Sequence, residues 1–254
     1  MPAFLKPSGN QPLPGPGIYR FGNDEANIYV CLIGLADMLR QYLPGVAPDG
    51  YRTLKRRVFD AGSLRGDFLS GAEIRQLNCF KALKKQVEWI GGRLALKTVV
   101  SKTLPEVGDA RQIQVVYEPR GAPCLVENLE NSISISHAGD YALAGVCSDT
   151  HTRIGLDIER IGVQRLDHVM RVAFTDREIN AVDGSPEEAC RIWTRKEAYL
   201  KFVKTGFREN LKRVDVSGDT IIHGGVPVVG LGTKTWGVGK QYLMSIVYNQ
   251  MKKR

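Results

Sequence analysis

NSISISHAGDYALAGVCSDTHTRIGLDIER, residues 131–160, is the stretch on which the reading of the whole chain turns. Apolar and polar residues alternate through SISIS, which puts Ile133 and Ile135 on one face and the serines on the other, the period of a half-buried strand. AGD is a turn signal, and YALAGVCSD reads as the antiparallel partner. A second turn at DTHTR leads into RIGLDIER, a strand with Ile154, Leu156 and Ile158 on one face and the carboxylates of Asp157 and Glu159 together on the other.

Upstream, QIQVVYE and the turn PRGAP add short strands in front of this block. QVEWIGGRLALKTVVSK (86–102) has the pattern of a helix despite Gly91 and Gly92 in its interior. Each glycine there costs about 1 kcal/mol relative to alanine, so a close approach by backbone or ligand is expected. Ser70 followed by Glu73 forms a capping box that opens another helix over AEIRQLNCFKALKK. ANIYVCLIGL reads as a buried strand, although the ADMLRQYL that follows would also allow a helix. Residues 44–68 read as connecting structure, and the first twenty, rich in Pro and Gly, as a flexible extension. Downstream of the block, helical patterns run from about 165 to 204, and strand signals return at DTIIHG and QYLMSIVYN. The expected fold class is α+β. Two similar halves, 21–150 and 151–254, would lie in a pseudo-twofold arrangement, each with a small antiparallel sheet packed on helices. No repeat is visible in the sequence itself.

Composition narrows the function classes. The chain has 254 residues, 43% of them apolar, enough for a sizeable core in one large domain or two modest ones. A formal charge of +8 favours acidic partners without choosing among nucleotides, anionic proteins and nucleic acid. The five cysteines follow no zinc spacing, which makes a reducing cytoplasm the simplest expectation. No apolar run approaches the roughly 20 residues of a membrane span.

Three places carry candidate chemistry. The Asp157/Glu159 pair is a ready site for a hard divalent cation, although a D-x-E pair facing solvent is common on strands. In IWTRKEAYLKF, Trp193, Glu197 and Lys201 fall at i, i+4 and i+8 on one stripe. Glu197 and Lys201 would be an ordinary surface pair unless Trp193 packs inward, in which case the carboxylate needs a charged or metal partner. His137 closes a strand at a turn, where its ring and the adjacent serine hydroxyls would offer donors to a phosphate.

Together these segments resemble the 4'-phosphopantetheinyl transferases of the Sfp type, which carry two AcpS-like halves in one chain. SISISHAG (132–139) resembles the family's histidine element, IGLDIE (154–159) its acidic strand, and WTRKEAYLK (193–201) its W-(S/T)-x-K-E helix; AFTDREI resembles the F-(S/T)-x-x-E element. The resemblance covers roughly residues 68–250 and departs at Gly121, Ala122 and Pro123, where the family commonly has G-K-P. Either Arg120 substitutes for that lysine or the contact is missing.

The resemblance implies a fold of two α/β halves and transfer of the phosphopantetheine arm of coenzyme A to a carrier-protein serine, with Mg2+ as cofactor and Mn2+ as its substitute. It implies Asp157, Glu159 and Glu197 as metal ligands and Glu197, Lys201 and Glu178 as catalytic residues. The general base stays open between Glu197 and a water on the metal, with Glu178 organising the site. His137, Ser136, Arg75, Arg93 and Lys201 are implied as coenzyme A contacts. Arg75 is the first choice for the 3'-phosphate, against Lys81, Lys84, Lys85 and Arg93. An apo carrier protein is the expected partner of a cytoplasmic monomer, with neither nucleic acid nor membrane. Two rival readings are a non-catalytic relative that binds coenzyme A or carrier protein, and a basic nucleic-acid-binding module, which would lack the usual motifs of that class.

Overall fold

The computed structural model describes residues 4–7, 11–21, 27–42, 68–104, 107, 109–126, 130–162 and 166–250. The connecting region expected over 44–68 lies, except for Phe68, outside them.

The elements run β1 (Gly17–Phe21), β2 (Ile28–Gly34), α1 (Leu35–Tyr42), α2 (Gly71–Cys79), α3 (Leu83–Thr103), β3 (Val115–Tyr117), β4 (Pro123–Leu125), β5 (Ile133–Ala138), β6 (Tyr141–Cys147) and β7 (Ile154–Arg160). They continue with α4 (Leu166–Ala173), α5 (Asp176–Val182), α6 (Pro186–Phe202), β8 (Val214–Asp215), β9 (Ile222–His223), β10 (Val226–Pro227), β11 (Leu231–Val238) and β12 (Tyr242–Asn249). One antiparallel sheet has the order β1-β2-β6-β5 and another β11-β12-β7, with two small sheets, β3-β4 and β10-β9-β8, set beside them.

The two main sheets repeat one plan. Among the described residues, β2, α1, α2, α3, β5, β6 and β7, α4, α5, α6, β11, β12 follow the same sequence of strand, three helices and hairpin, and the sheet orders β2-β6-β5 and β7-β12-β11 correspond. The small sheets fall at the same point of each plan, between the long helix and the hairpin. α3 packs over β2 and β6, and α6 over β7 and β12. The fold is thus α+β with a topological repeat that the sequence did not display.

The sheets meet where β5 lies along β7. The serines of the SISIS stretch make the junction: Ser132 Oγ accepts from the Ile154 amide at 3.0 Å and Ser134 Oγ from the Leu156 amide at 2.9 Å. Ser136 Oγ donates to Asp157 Oδ1 at 2.7 Å. Hydroxyls thereby satisfy β7 amides that have no strand partner on that side. Behind the junction, Leu143, Leu156, Ile158, Met244 and Trp236 share one apolar cluster.

Two expectations change and a third, the strand, holds. Residues 11–20 are not a loose extension. Leu13 is 2% and Tyr19 1% exposed within that same cluster. The Leu13 amide donates to Gly237 O at 2.8 Å, and Gly17–Phe21 pairs with β2. Proline and glycine favour extended backbone as readily as disorder, and here the extended segment docks. The helix expected over 72–85 stops at Cys79 and a new one starts at Leu83. Phe80 turns out into extended backbone, its ring 5.9 Å from that of Trp89 and its carbonyl accepting from Gln86 Nε2 at 2.9 Å. ANIYVCLIGL and ADMLRQYL are strand and helix in succession, joined at Leu35. The glycines of α3 answer to close neighbours: a β-carbon on Gly91 would stand 2.4 Å from Leu35, and one on Gly92 2.8 Å from Ile135.

Candidate active site

β7 carries Asp157 and Glu159 on the face that α6 covers, and Gly155 sets how near the helix comes. A β-carbon at position 155 would lie 1.9 Å from the carbonyl oxygen of Ala198, so only glycine lets strand and helix touch. This contact brings Glu197 over the strand carboxylates, and one ligand atom from each of Asp157, Glu159 and Glu197 lies within 4.8 Å of the others.

The trio is short of positive charge. Asp157, 1% exposed, accepts at Oδ1 from Ser136 and, at 2.7 Å, from Lys201 Nζ. Its Oδ2 is buried without a hydrogen-bond partner among the described residues. Burial pushes the Asp157 carboxyl up, with Lys201 pulling against it. Glu159 accepts from the Trp193 indole N–H at 3.3 Å. Burial and then the charge of Asp157 raise Glu159 to about 7. Glu197 is pushed up to about 9, again by burial first and Asp157 second, with Lys201 opposing. Fully ionised, three carboxylates against one ammonium leave an excess of two negative charges in a buried place. That excess and the unpartnered oxygen fit a hard dication with oxygen ligands.

Beside the trio a cleft of about 290 Å³ opens between the two halves. Lys85 and Arg93 of α3, Arg120 of the β3–β4 turn, His137 of β5, and Lys201 and Lys204 at the end of α6 line it. Such a rim is suited to an anion with several phosphates. The His137 Nδ1 is 3.8 Å from Glu88 Oε2, and burial lowers its pKa more than Glu88 raises it.

The remaining expected contacts fall in several places. Arg75 is exposed on α2 and is not part of the cleft wall. Arg93 lines the cleft but is already engaged: it lies 3.4 Å from Glu73, stacks between Trp89 and Tyr117 at 4.8 and 5.5 Å, and donates to the Tyr117 hydroxyl. Ser136 belongs to the junction, its hydroxyl given to Asp157 and accepting from Lys201 at 2.8 Å. Glu178 is fully buried, and both its oxygens are occupied. One accepts from the Thr175 amide and, at 2.6 Å, from Lys196, the other from the Val216 amide. A carboxylate so held ties α5 to α6 and to the backbone at Val216. Lys204, which sequence reasoning did not single out, stands three residues after Lys201, and that spacing is the one signal that marked it.

Residues 153–240 match the family model of the 4'-phosphopantetheinyl transferase superfamily. The match falls on the half that holds the acidic trio. Among its relatives, 4'-phosphopantetheinyl transferase HetI of Nostoc is 28% identical over 159 residues, covering 59% of this chain and 65% of that protein. A Synechocystis protein provisionally described by the same activity is 25% identical over 187 residues, 70% and 73% of the respective chains. A solved holo-(acyl-carrier-protein) synthase from Bacillus anthracis, in complex with CoA (3',5'-ADP), is 24% identical with a TM-score of 0.35, covering 47% of this chain and 92% of that one.

Proposed function

We propose that this chain transfers the 4'-phosphopantetheine group of coenzyme A to a serine of an apo carrier protein and releases 3',5'-adenosine bisphosphate. The observation that carries the reading is the convergence of Asp157, Glu159 and Glu197 within 4.8 Å beside a cationic cleft. Asp157, Glu159 and Glu197 are the residues that would hold Mg2+, or Mn2+ in its place. A bound dication supplies charge neutralisation at the diphosphate, the main demand of phosphoryl transfer. Lys201, fixed by Asp157 and Ser136 at the boundary of trio and cleft, orients the diphosphate and meets the charge that gathers on the leaving group. His137 donates to a phosphate from the far wall. Asp157 is pinned by two donors and Glu159 by the Trp193 indole, so Glu197 is the carboxylate assigned to take the serine proton. The net charge of +8 suits an acidic carrier domain.

We place the chain in the cytoplasm as a monomer. All five cysteines are free thiols, and no helix among the described residues is long and apolar enough to cross a membrane. Mass spectrometry of several apo carrier proteins incubated with coenzyme A, with and without Mg2+, tests the reaction. Metal-dependent gain of the phosphopantetheine arm is expected. Coenzyme A binding with no modified carrier under any metal condition would reduce the chain to a binding protein.

A further inference from the structure

We propose that Lys204 is a further phosphate-binding residue of the cleft, paired with Glu118 and passed from it to the bound anion. This rests on the coenzyme A reading above and deepens it. Lys204 follows the last turn of α6, its amide donating to Lys201 O at 3.2 Å, and its φ of 57° lies in the left-handed region where glycine ends helices without strain. A lysine in that conformation sends its side chain out of the helical path, and Lys204 lines the cleft.

Its ammonium pairs with Glu118, which belongs to the opposite half. Glu118 also closes the turn that carries Arg120: its amide donates to Ala122 O at 2.8 Å and its carbonyl accepts from Gly121 N at 2.7 Å. The pair therefore spans the cleft from the end of α6 to the β3–β4 turn. Its side chains are 41% and 34% exposed, so water and salt weaken it. The cleft's other paired cations are held more firmly. Arg93 is 2% exposed against Glu73, and the Lys201 pair includes an Asp157 side chain that is 2% exposed. Among the lining cations, Lys204 is thus the one with a weak, exchangeable partner. A phosphate, with up to two negative charges and three acceptor oxygens, outcompetes a single solvated carboxylate for it.

Calorimetric titration of coenzyme A into the full chain, without carrier protein, tests this on wild type, K204G, E118Q and the double variant. Glycine fits the backbone at 204, so K204G should melt no lower than wild type. K204G is expected to weaken binding about tenfold, the worth of one charge-assisted hydrogen bond. E118Q should tighten it about threefold by freeing the ammonium, and that gain should vanish in the double variant. Unchanged affinity in K204G, or an E118Q gain that survives without Lys204, overturns the inference while leaving the coenzyme A reading standing. A wild-type chain that binds no coenzyme A sinks both.

Discussion

The two halves share a buried ion pair but not an acidic trio. In the first, Ser70 caps α2 and Glu73, at the third helical position, receives Lys97 of α3, which also donates to Phe68 O at 2.6 Å. In the second, Thr175 caps α5, Glu178 receives Lys196 of α6, and Lys196 donates to Ala173 O at 2.7 Å. Each lysine thus reaches the carbonyl two residues before the cap. The main strands also correspond: Gly34 of β2 faces Tyr141 as Arg160 of β7 faces Tyr242. Counting back along the strands, Asp157 answers to Cys31 and Glu159 to Ile33; counting on from the shared lysine, Glu197 answers to Thr98. Cys31, with Ala144 and Val99, belongs there to an apolar cluster. What both halves keep is scaffold, and what one alone has is the candidate chemistry. Glu178 belongs to the feature that both halves keep, as the counterpart of Glu73.

This contrast can be broken from either side. Asp157→Ala removes the one-sided feature and should abolish transfer in the carrier assay, with the unfolding midpoint kept; near-normal turnover would refute the role. Lys201→Ala should lower turnover by about 100-fold or more, read as kcat under saturating coenzyme A. Removing the shared feature should act on stability instead. Glu178→Ala and Glu73→Ala each leave a buried ammonium without its partner and should cost about 3–5 kcal/mol in urea unfolding. Turnover per folded molecule should hold for the Glu178 variant; a collapse there with stability intact would return Glu178 to the catalytic set.

The smallest effect is in pH. Glu159 and Glu197 are raised to about 7 and about 9, above the ordinary carboxylate range. A raised carboxyl favours the fold in its protonated form, so this contribution is complete below about pH 4 and is lost as pH climbs through 7 and then 9. The metal-free chain should melt progressively lower between pH 6 and 9.5, Glu197→Gln should flatten the upper part of the decline, and Mg2+ should suppress it. Apparent metal affinity should rise over the same interval, since binding displaces those protons. A metal-free melting curve that is flat in pH would contradict the charge excess at the trio.

Much of the scaffold could be read locally. Alternation placed β5 and β7, and the Ser70–Glu73 box opened α2 where expected. β11 escaped because Gly232, Thr233, Thr235 and Gly237 blur its alternation, and it is a strand by virtue of pairing along the whole of β12. The shared face of Asp157 and Glu159 followed from strand period. Their meeting with Glu197 depends on a strand–helix contact at Gly155 that no local pattern contains, and the resemblance supplied it. The inward hydrogen bonds of Glu178 and Ser136 were not legible, because sequence cannot show where a capping glutamate or a strand serine spends its polar atoms.

The Pro-rich segment ahead of β1 has one more consequence. Leu5 bridges to Tyr19 on β1 and Leu13 to Val238 on β11, so this one stretch of chain shields the free rims of both main sheets. β5 and β7 conceal each other at the remaining rims. Bare strand rims are templates for recruiting a second molecule, and a cover built with Pro12, Pro14 and Pro16 has few amides with which to recruit one. Cutting the chain just before Gly17 would bare both rims, and self-association that rises with concentration is the expected result in light scattering.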